Sequence, residues 1–74
     1  MKIYGYAHES DKLMEFSEAS IVASASELRE LALLLQMAAD QKDGSIETNS
    51  DHMHFRDFYK ELESDSADLI VITG

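Results

Sequence analysis

The clearest pattern in the chain is a run of apolar positions at helical spacing that begins after Ser24. Ser24 and Glu27 have the S-x-x-E spacing of a capping box, which marks a helix start. Lys42 suits the negative end of a helix dipole, and Gly44 can adopt the left-handed conformation beyond the last turn. The pattern therefore predicts a helix over residues 25–42. Its predicted buried face consists of the apolar residues that recur every three or four positions: Leu28, Leu31, Ala32, Leu35, Ala38 and Ala39.

Three further apolar residues, Leu33, Leu34 and Met37, widen this stripe beyond what a single sheet face covers. Such width is typical of a helix in broad contact with a core. The alternative is that the additional residues form a surface for a partner or for a second copy of the chain.

Alternating side chains predict two strands before the helix. Residues 2–8 place Tyr4 and Tyr6 on the opposite side from the small and aliphatic residues between them. Residues 13–23 predict a second strand, whose apolar phase slips near residues 17–18, as it does at a β-bulge. The polar residues 9–12 between the two strands would close a hairpin.

Two more strands are predicted after the helix, over residues 51–55 and 68–73. Between them, residues 56–62 have helical spacing, so a short helix competes with a plain loop. The chain contains no proline and only three glycines, and no linker is visible, so residues 1–74 are expected to form one domain. The predicted fold is α+β with the order β-β-α-β-β: a mostly antiparallel four-stranded sheet with one long helix packed on one face.

One helix can cover only one face of such a sheet, so the other face must meet water or a partner. If Met53 points toward the helix, His52 and His54 share the open face. Tyr4 and Tyr6 are candidates to join them there. The last strand would add either Leu69 and Val71 or Ile70 and Ile72 to an apolar patch. Tyrosine and histidine beside apolar residues suit a protein interface better than a catalytic pocket.

Charge narrows the classes of partner. Fifteen acidic residues against six basic ones give a net charge of −9. This charge repels phosphate backbones and anionic lipids, so nucleic acid and membrane are not expected partners, whereas a basic protein is. Residues 40–68 hold nine acids and three bases, a segment charge of −6. The residues predicted to bind a partner are Tyr4, Tyr6, Asp51, His52, His54, Asp57, Glu61 and Glu63. A solvated charged loop is the alternative for the acidic residues among them.

Enzyme and cofactor signatures are poor in this sequence. It has no cysteine, no glycine-rich phosphate loop, no G-x-S-x-G elbow and no H-E-x-x-H motif, so a noncatalytic protein without a cofactor is expected. His52 and His54 could aim two imidazoles at one metal ion, but zinc needs three or four ligands, and nothing in the spacing of His8, Asp51 or Asp57 requires one. No metal site is therefore predicted. Histidines at an interface could instead make binding depend on pH.

The order of the patterns is similar to that of a known family. The quoted segments are Lys2-Ile-Tyr-Gly-Tyr6, Ser24-Ala-Ser-Glu-Leu-Arg-Glu-Leu31, His52-Met-His54 and Ala67-Asp-Leu-Ile-Val-Ile72. Together they resemble the immunity proteins of bacterial polymorphic toxin systems, specifically the immunity protein 32-like group, over nearly the whole chain. The resemblance implies a cytoplasmic protein that binds and neutralises a cognate toxin. Only His52 and His54 match a motif of that group.

Two other functions remain open at this point. One is a small structural domain that forms a homodimer through its open sheet face, and the other is a module that binds a ligand or metal. Rising ionic strength would weaken the binding of an acidic inhibitor to a basic partner, but it would not weaken an apolar interface between two copies of the chain. The N-terminus lacks the pattern of a signal peptide, and no apolar run reaches the roughly 20 residues of a membrane span, so a cytoplasmic location is expected.

Overall fold

Six elements follow one another in the computed structural model, which describes residues 1–74. They are β1 (Ile3–Gly5), β2 (Met14–Phe16), α1 (Ala25–Lys42), β3 (His52–His54), α2 (Phe55–Phe58) and β4 (Ile70–Ile72). This order confirms the α+β class. The sheets differ from the prediction, because β1 pairs with β2 and β3 pairs with β4 in two separate antiparallel sheets. The predicted four-stranded sheet is therefore wrong, and the fold contains an N-terminal ribbon (β1 and β2) and a C-terminal ribbon (β3 and β4).

The strands are too short to build the larger sheet. Each is only three residues long, and the strand expected over residues 13–23 ends at Phe16. The chain bends at Ser17, and residues 18–24 join no ladder, so the end of the strand replaces the predicted bulge. Side-chain alternation determines the face that a residue occupies, but it does not specify which neighbour the strand pairs with.

The predicted hairpin between the first two strands is confirmed. The amide of Ser10 donates to the carbonyl of Ala7 at 3.2 Å, and Glu9 adopts a positive φ of 58° in the turn. Gly5 lies against the Phe16 ring, where a Cβ atom would come within 2.6 Å of the ring carbon Cε2. A larger residue in this position would displace the ring, so Gly5 permits the two strands to pack closely.

The long helix α1 begins and ends where the sequence predicts. The Ser24 hydroxyl accepts a hydrogen bond from the Glu27 amide at 3.1 Å, and the Ser24 amide donates to the Glu27 carboxylate at 2.7 Å. The capping box is thereby confirmed. Lys42 lies in the last turn, and Gly44 beyond it has a φ of 83°, in the left-handed region that favours glycine. Neither α1 nor α2 combines the length and the apolar composition that crossing a bilayer requires.

The core lies between α1, α2 and the C-terminal ribbon. Only five residues are buried, and four of them form one cluster: Leu31, Leu34, Phe55 and Leu62. Half-buried residues from β3, β4 and the segments around them pack against this cluster, including Met53, Leu69 and Val71. The N-terminal ribbon contributes no residue to the cluster, so the hydrophobic core belongs to the chain after residue 24.

The buried face of α1 is narrower than predicted and lies in a different direction. Leu31 and Ala38 are buried as expected, together with Leu34. Four residues predicted to be buried are exposed: Leu28, Ala32, Leu35 and Ala39. Because the N-terminal ribbon does not join a common sheet, the helix is covered only on the side of the C-terminal ribbon. Leu33 and Met37 are exposed on the other flank.

Residues 55–62 combine the two alternatives that the sequence left open. Phe55 was expected to end the third strand, but it is the first residue of α2, which ends at Phe58. Its amide still donates to the Leu69 carbonyl at 2.8 Å, so the ladder continues one bond past the strand. A turn follows α2, in which the Leu62 amide donates to the Tyr59 carbonyl at 3.2 Å and Leu62 enters the core.

A pair of adjacent leucines tests this core. Leu34 is fully buried, whereas the neighbouring Leu33 is 56% exposed. We expect Leu34→Ala to reduce the free energy of unfolding by about 2–5 kcal/mol, because it opens a cavity in a core that contains few other residues. The matched variant Leu33→Ala should change it by about 0.5 kcal/mol or less. Urea unfolding followed by circular dichroism measures both, and equal losses from the two variants would contradict the assigned helix face.

Candidate functional site

The outer face of the C-terminal ribbon brings together two histidines and two isoleucines. His52 pairs with Ile72 and His54 pairs with Ile70 in the antiparallel register, so all four side chains lie on one face. Ile70 and Ile72 are 50% and 64% exposed, while Met53 and Val71 between them turn to the core. The prediction that the histidines share the face opposite Met53 is confirmed. The outward apolar pair of the last strand is Ile70 and Ile72.

Each imidazole on this face has its own carboxylate. His52 Nδ1 lies 2.7 Å from Asp51 Oδ1, and His54 Nδ1 lies 2.8 Å from Asp68 Oδ2. The two rings meet edge to face with their centroids 5.1 Å apart. Each ring is thus held in one orientation by a hydrogen bond at Nδ1, and its Nε2 atom remains available for another contact. We call the outer surface formed by these four residues with Ile70 and Ile72 the histidine face.

Asp68 links His54 to the neighbouring backbone through hydrogen bonds. Its Oδ1 atom accepts hydrogen bonds from the backbone amides of Arg56 and Leu69, each at 2.9 Å, while Oδ2 meets His54. Burial acts to raise the pKa of Asp68, but the hydrogen bond from His54 and the two amides outweigh it, so the pKa lies below its ordinary value. The carboxylate therefore stays charged, and it joins β3, α2 and the start of β4.

Arg56 closes the loop behind this carboxylate. Its guanidinium donates to the carbonyl of Glu63 at 3.2 Å and to the carbonyl of Ser66 at 2.6 Å. These bonds satisfy backbone acceptors between α2 and β4, where no ladder is present to do so. Arg56 is consequently a structural cation, and it does not neutralise an exposed carboxylate on the face.

The predicted acidic residues divide between two places. Asp51 bonds His52, and both this hydrogen bond and the charge of His52 lower the pKa of Asp51 below its usual range. Asp57 lines a shallow open groove with His52 and His54. Glu61 lies elsewhere: burial raises the pKa of Tyr59, and the negative charge of Glu61 adds to this effect.

The sequence did not indicate that acidic residues other than Glu61 act on Tyr59. The negative charges of Glu27 and Glu30 of α1 also raise the pKa of Tyr59, so the charges of three acids act on its phenol. Tyr59 itself stacks on Phe55 with ring centroids 5.7 Å apart. A helix and a loop thus bring together three acids that are far apart in the sequence, and only the packing of α1 on α2 reveals this.

The other predicted site residues lie apart from the histidines or take part through the backbone. Tyr4 belongs to β1 and Tyr6 follows it, both exposed, so they are part of the N-terminal ribbon and not of the histidine face. Glu63 is exposed and uses its carbonyl to hold Arg56. Asp68 is the site residue that sequence reasoning missed. Its place, two residues before the strand partner of His54, could have been inferred only from the register.

The histidine face combines charged, hydrogen-bonding and apolar groups and does not form a metal site. No three or more histidine, cysteine or carboxylate side chains come together in an arrangement suited to a metal ion. The face offers negative charge, two imidazole Nε2 atoms and the apolar surface of Ile70 and Ile72. Such a mixture of charge, hydrogen bonding and apolar area is typical of protein interfaces.

Comparison with known proteins identifies a family. The model of the family described as immunity protein 32 matches residues 18–73, which is most of the chain and includes α1, α2 and the C-terminal ribbon. The N-terminal ribbon precedes the matched segment, so the match is shorter than the near-complete resemblance inferred from the sequence. No curated protein and no solved structure matches the chain.

The lowered pKa of Asp68 predicts how stability depends on pH. A carboxyl group whose pKa is lower in the folded than in the unfolded state adds stability above its unfolded value, here 3.8, and this contribution disappears as pH falls through the folded value. We expect Asp68→Asn to have a lower free energy of unfolding than the unmodified chain at neutral pH. Below about pH 4 its free energy of unfolding should decrease less than that of the unmodified chain, because the variant lacks this carboxyl group.

Urea unfolding measured from about pH 6 down to about pH 2 compares the two proteins. Asp65→Asn is the matched control, because Asp65 is exposed and its side chain makes no hydrogen bond. Its curve should run parallel to that of the unmodified chain. If Asp68→Asn also gives a parallel curve, the carboxylate does not stabilise the site as described.

Proposed function

The chain belongs to the immunity protein 32 family, and from this premise we propose that it binds a basic toxin through the histidine face and thereby neutralises it. The observation that supports this surface is the outer face of the C-terminal ribbon, where a carboxylate orients each of His52 and His54 and an exposed isoleucine lies opposite each one. Membership of the family implies that the partner is a toxin. The choice of surface and the basic character of the partner are our own proposals.

Preorganisation supports this choice of surface. Asp68 fixes His54 through the same carboxylate that binds two backbone amides, so the imidazole does not have to lose much rotational freedom when a partner arrives. Ile70 and Ile72 supply apolar area, which binding removes from water. The face therefore provides both affinity and orientation.

Charge supports a basic partner. Asp51 and Asp57 border the histidines, and the chain as a whole carries −9. A negative surface speeds association with a positive one and discourages binding to acidic proteins. In the proposed mechanism, the inhibitor covers a basic functional surface of the toxin and excludes its substrate. No catalytic step by the immunity protein is involved, and the cytoplasm is the proposed location of the encounter.

Glu61, Glu63, Tyr4 and Tyr6 have a secondary part in this proposal. Glu61 belongs to the acidic group around Tyr59, and the tyrosines lie on the N-terminal ribbon. These residues can extend the contact only if the toxin is large enough to reach around α2 or along the N-terminal ribbon. The histidine face is the centre.

Charge reversal at the face tests the function. The purified chain serves as bait in a lysate of the cells from which it comes, and bound proteins are eluted with rising salt. We expect a basic protein to elute and to arrest growth when it is expressed alone, and the chain should restore growth. Asp51→Lys with Asp57→Lys should weaken this binding about 100-fold or more, because attractive pairs become repulsive.

Glu15→Lys with Glu18→Lys is the matched control, since it changes the net charge equally but lies near the N-terminal ribbon. It should weaken binding about tenfold at most, through long-range attraction alone. If both double variants bind equally weakly, the contact is unspecific ion exchange. If the captured protein is harmless to cells, the chain is not its immunity protein.

A further inference from the structure

The exposed side of α1 carries an uncharged apolar stripe. Leu28, Ala32, Leu35 and Ala39 follow one another at intervals of four, three and four residues, so they line one side of the helix over three turns. Both leucines are 47% exposed, and both alanines are exposed. This side lies about 100° around the helix from the buried face at Leu34 and Ala38. We call these four residues the leucine–alanine stripe.

From this stripe we infer that the chain forms a homodimer in which two α1 helices pack antiparallel about a two-fold axis. Large and small residues alternate along the stripe, and an axis between Ala32 and Leu35 makes it complementary to itself. Leu28 then faces the partner's Ala39, and Leu35 faces the partner's Ala32. Each leucine meets an alanine, which lets the helices approach closely. A two-fold symmetric interface uses the same surface on both copies, so that surface must be complementary to itself, as the stripe is.

The charges beside the stripe fit the same register. Arg29 and Asp40 lie on one flank of the helix, and antiparallel packing brings equal flanks of two helices together. Arg29 therefore comes within about 3 Å of the partner's Asp40 along the helix axis, and symmetry repeats the pair. A parallel arrangement would instead place the two equal flanks on opposite sides of the contact, so that this pair could not form. Within α1, three acidic residues stand against two basic ones, so the helix contributes only −1 of the net charge of −9.

The exposed area leaves room for such an interface. The chain exposes 6181 Å², whereas a compact monomer of 8.3 kDa exposes about 4,600 Å². The excess of about 1,600 Å² exceeds the approximately 800 Å² that each partner contributes to a stable interface. Exposed apolar residues also lie beyond both ends of α1: Ile21 and Val22 before it, and Ile46 after it. Antiparallel packing brings these opposite ends together.

Mass measurement tests the dimer directly. Sedimentation equilibrium of the full chain alone, up to millimolar concentration, should give twice the 8.3 kDa of one chain. Leu35→Glu should raise the dissociation constant at least about 30-fold, since it places a charge in the centre of the contact. Met37→Glu is the control, because Met37 is also exposed but lies on the side of α1 opposite the stripe. A monomer at every concentration, or equal effects of both variants, overturns the proposal.

Disulfide formation tests the antiparallel register. The chain contains no cysteine, so Leu28→Cys and Ala39→Cys introduce single thiols. In the proposed dimer, Leu28 lies about 16 Å along the axis from the partner's Leu28 but beside the partner's Ala39. An equimolar mixture of the two variants should therefore form the mixed disulfide, and each alone should form little. Efficient cross-linking of each variant alone would overturn the antiparallel arrangement.

Charge exchange gives a rescue test. Arg29→Glu and Asp40→Lys should each weaken dimerisation, and the double variant should recover most of it because the pair is restored with reversed polarity. If the double variant is as weak as the single variants together, the two residues do not meet. This inference depends on α1 alone, so its failure leaves toxin binding by the histidine face unaffected.

Discussion

The structure from α1 onward depends on one packing contact, in which the Leu34 side of α1 meets Phe55 and Leu62. These residues, with Leu31, form the only buried cluster, and the C-terminal ribbon packs on it through Met53 and Val71. A chain of this length can bury only about 60% of its unfolded surface. The position of every functional side chain after residue 50 therefore depends on a small number of apolar contacts, without a disulfide to reinforce them.

Polar contacts supply the precision that so small a core cannot. Asp68 joins His54 to the amides of Arg56 and Leu69, and Arg56 in turn holds the carbonyls of the following loop. A carboxylate that accepts several bonds fixes three segments at once, because each bond has directional requirements that apolar packing lacks. The same residue that orients the histidine face therefore also stabilises the loop between α2 and β4.

Local features of the fold, including the β1–β2 hairpin, could be predicted from the sequence, whereas contacts between distant segments could not. The bounds of α1 followed from Ser24, Glu27 and Gly44, since capping and left-handed backbone are short-range effects. The shared face of His52 and His54 followed from alternation within one strand. The choice of strand neighbours and the contact of Asp68 with His54 depend on residues distant in the chain. The buried side of α1 was mispredicted because the apolar spacing of Leu28 and Leu35 does not show how much of the helix the rest of the chain covers.

The two proposed contacts are compatible because they use different sides of the molecule and different physical interactions. The histidine face lies on the outside of the C-terminal ribbon, while the leucine–alanine stripe lies on a side of α1 that the ribbon does not cover. A dimer through the stripe would leave both histidine faces free. It would also double the charge of −9 that attracts a basic toxin, at the cost of repulsion between the two copies. Salt screens that repulsion and the attraction of the toxin alike, so rising ionic strength should favour the apolar dimer while it weakens the acidic inhibitory contact.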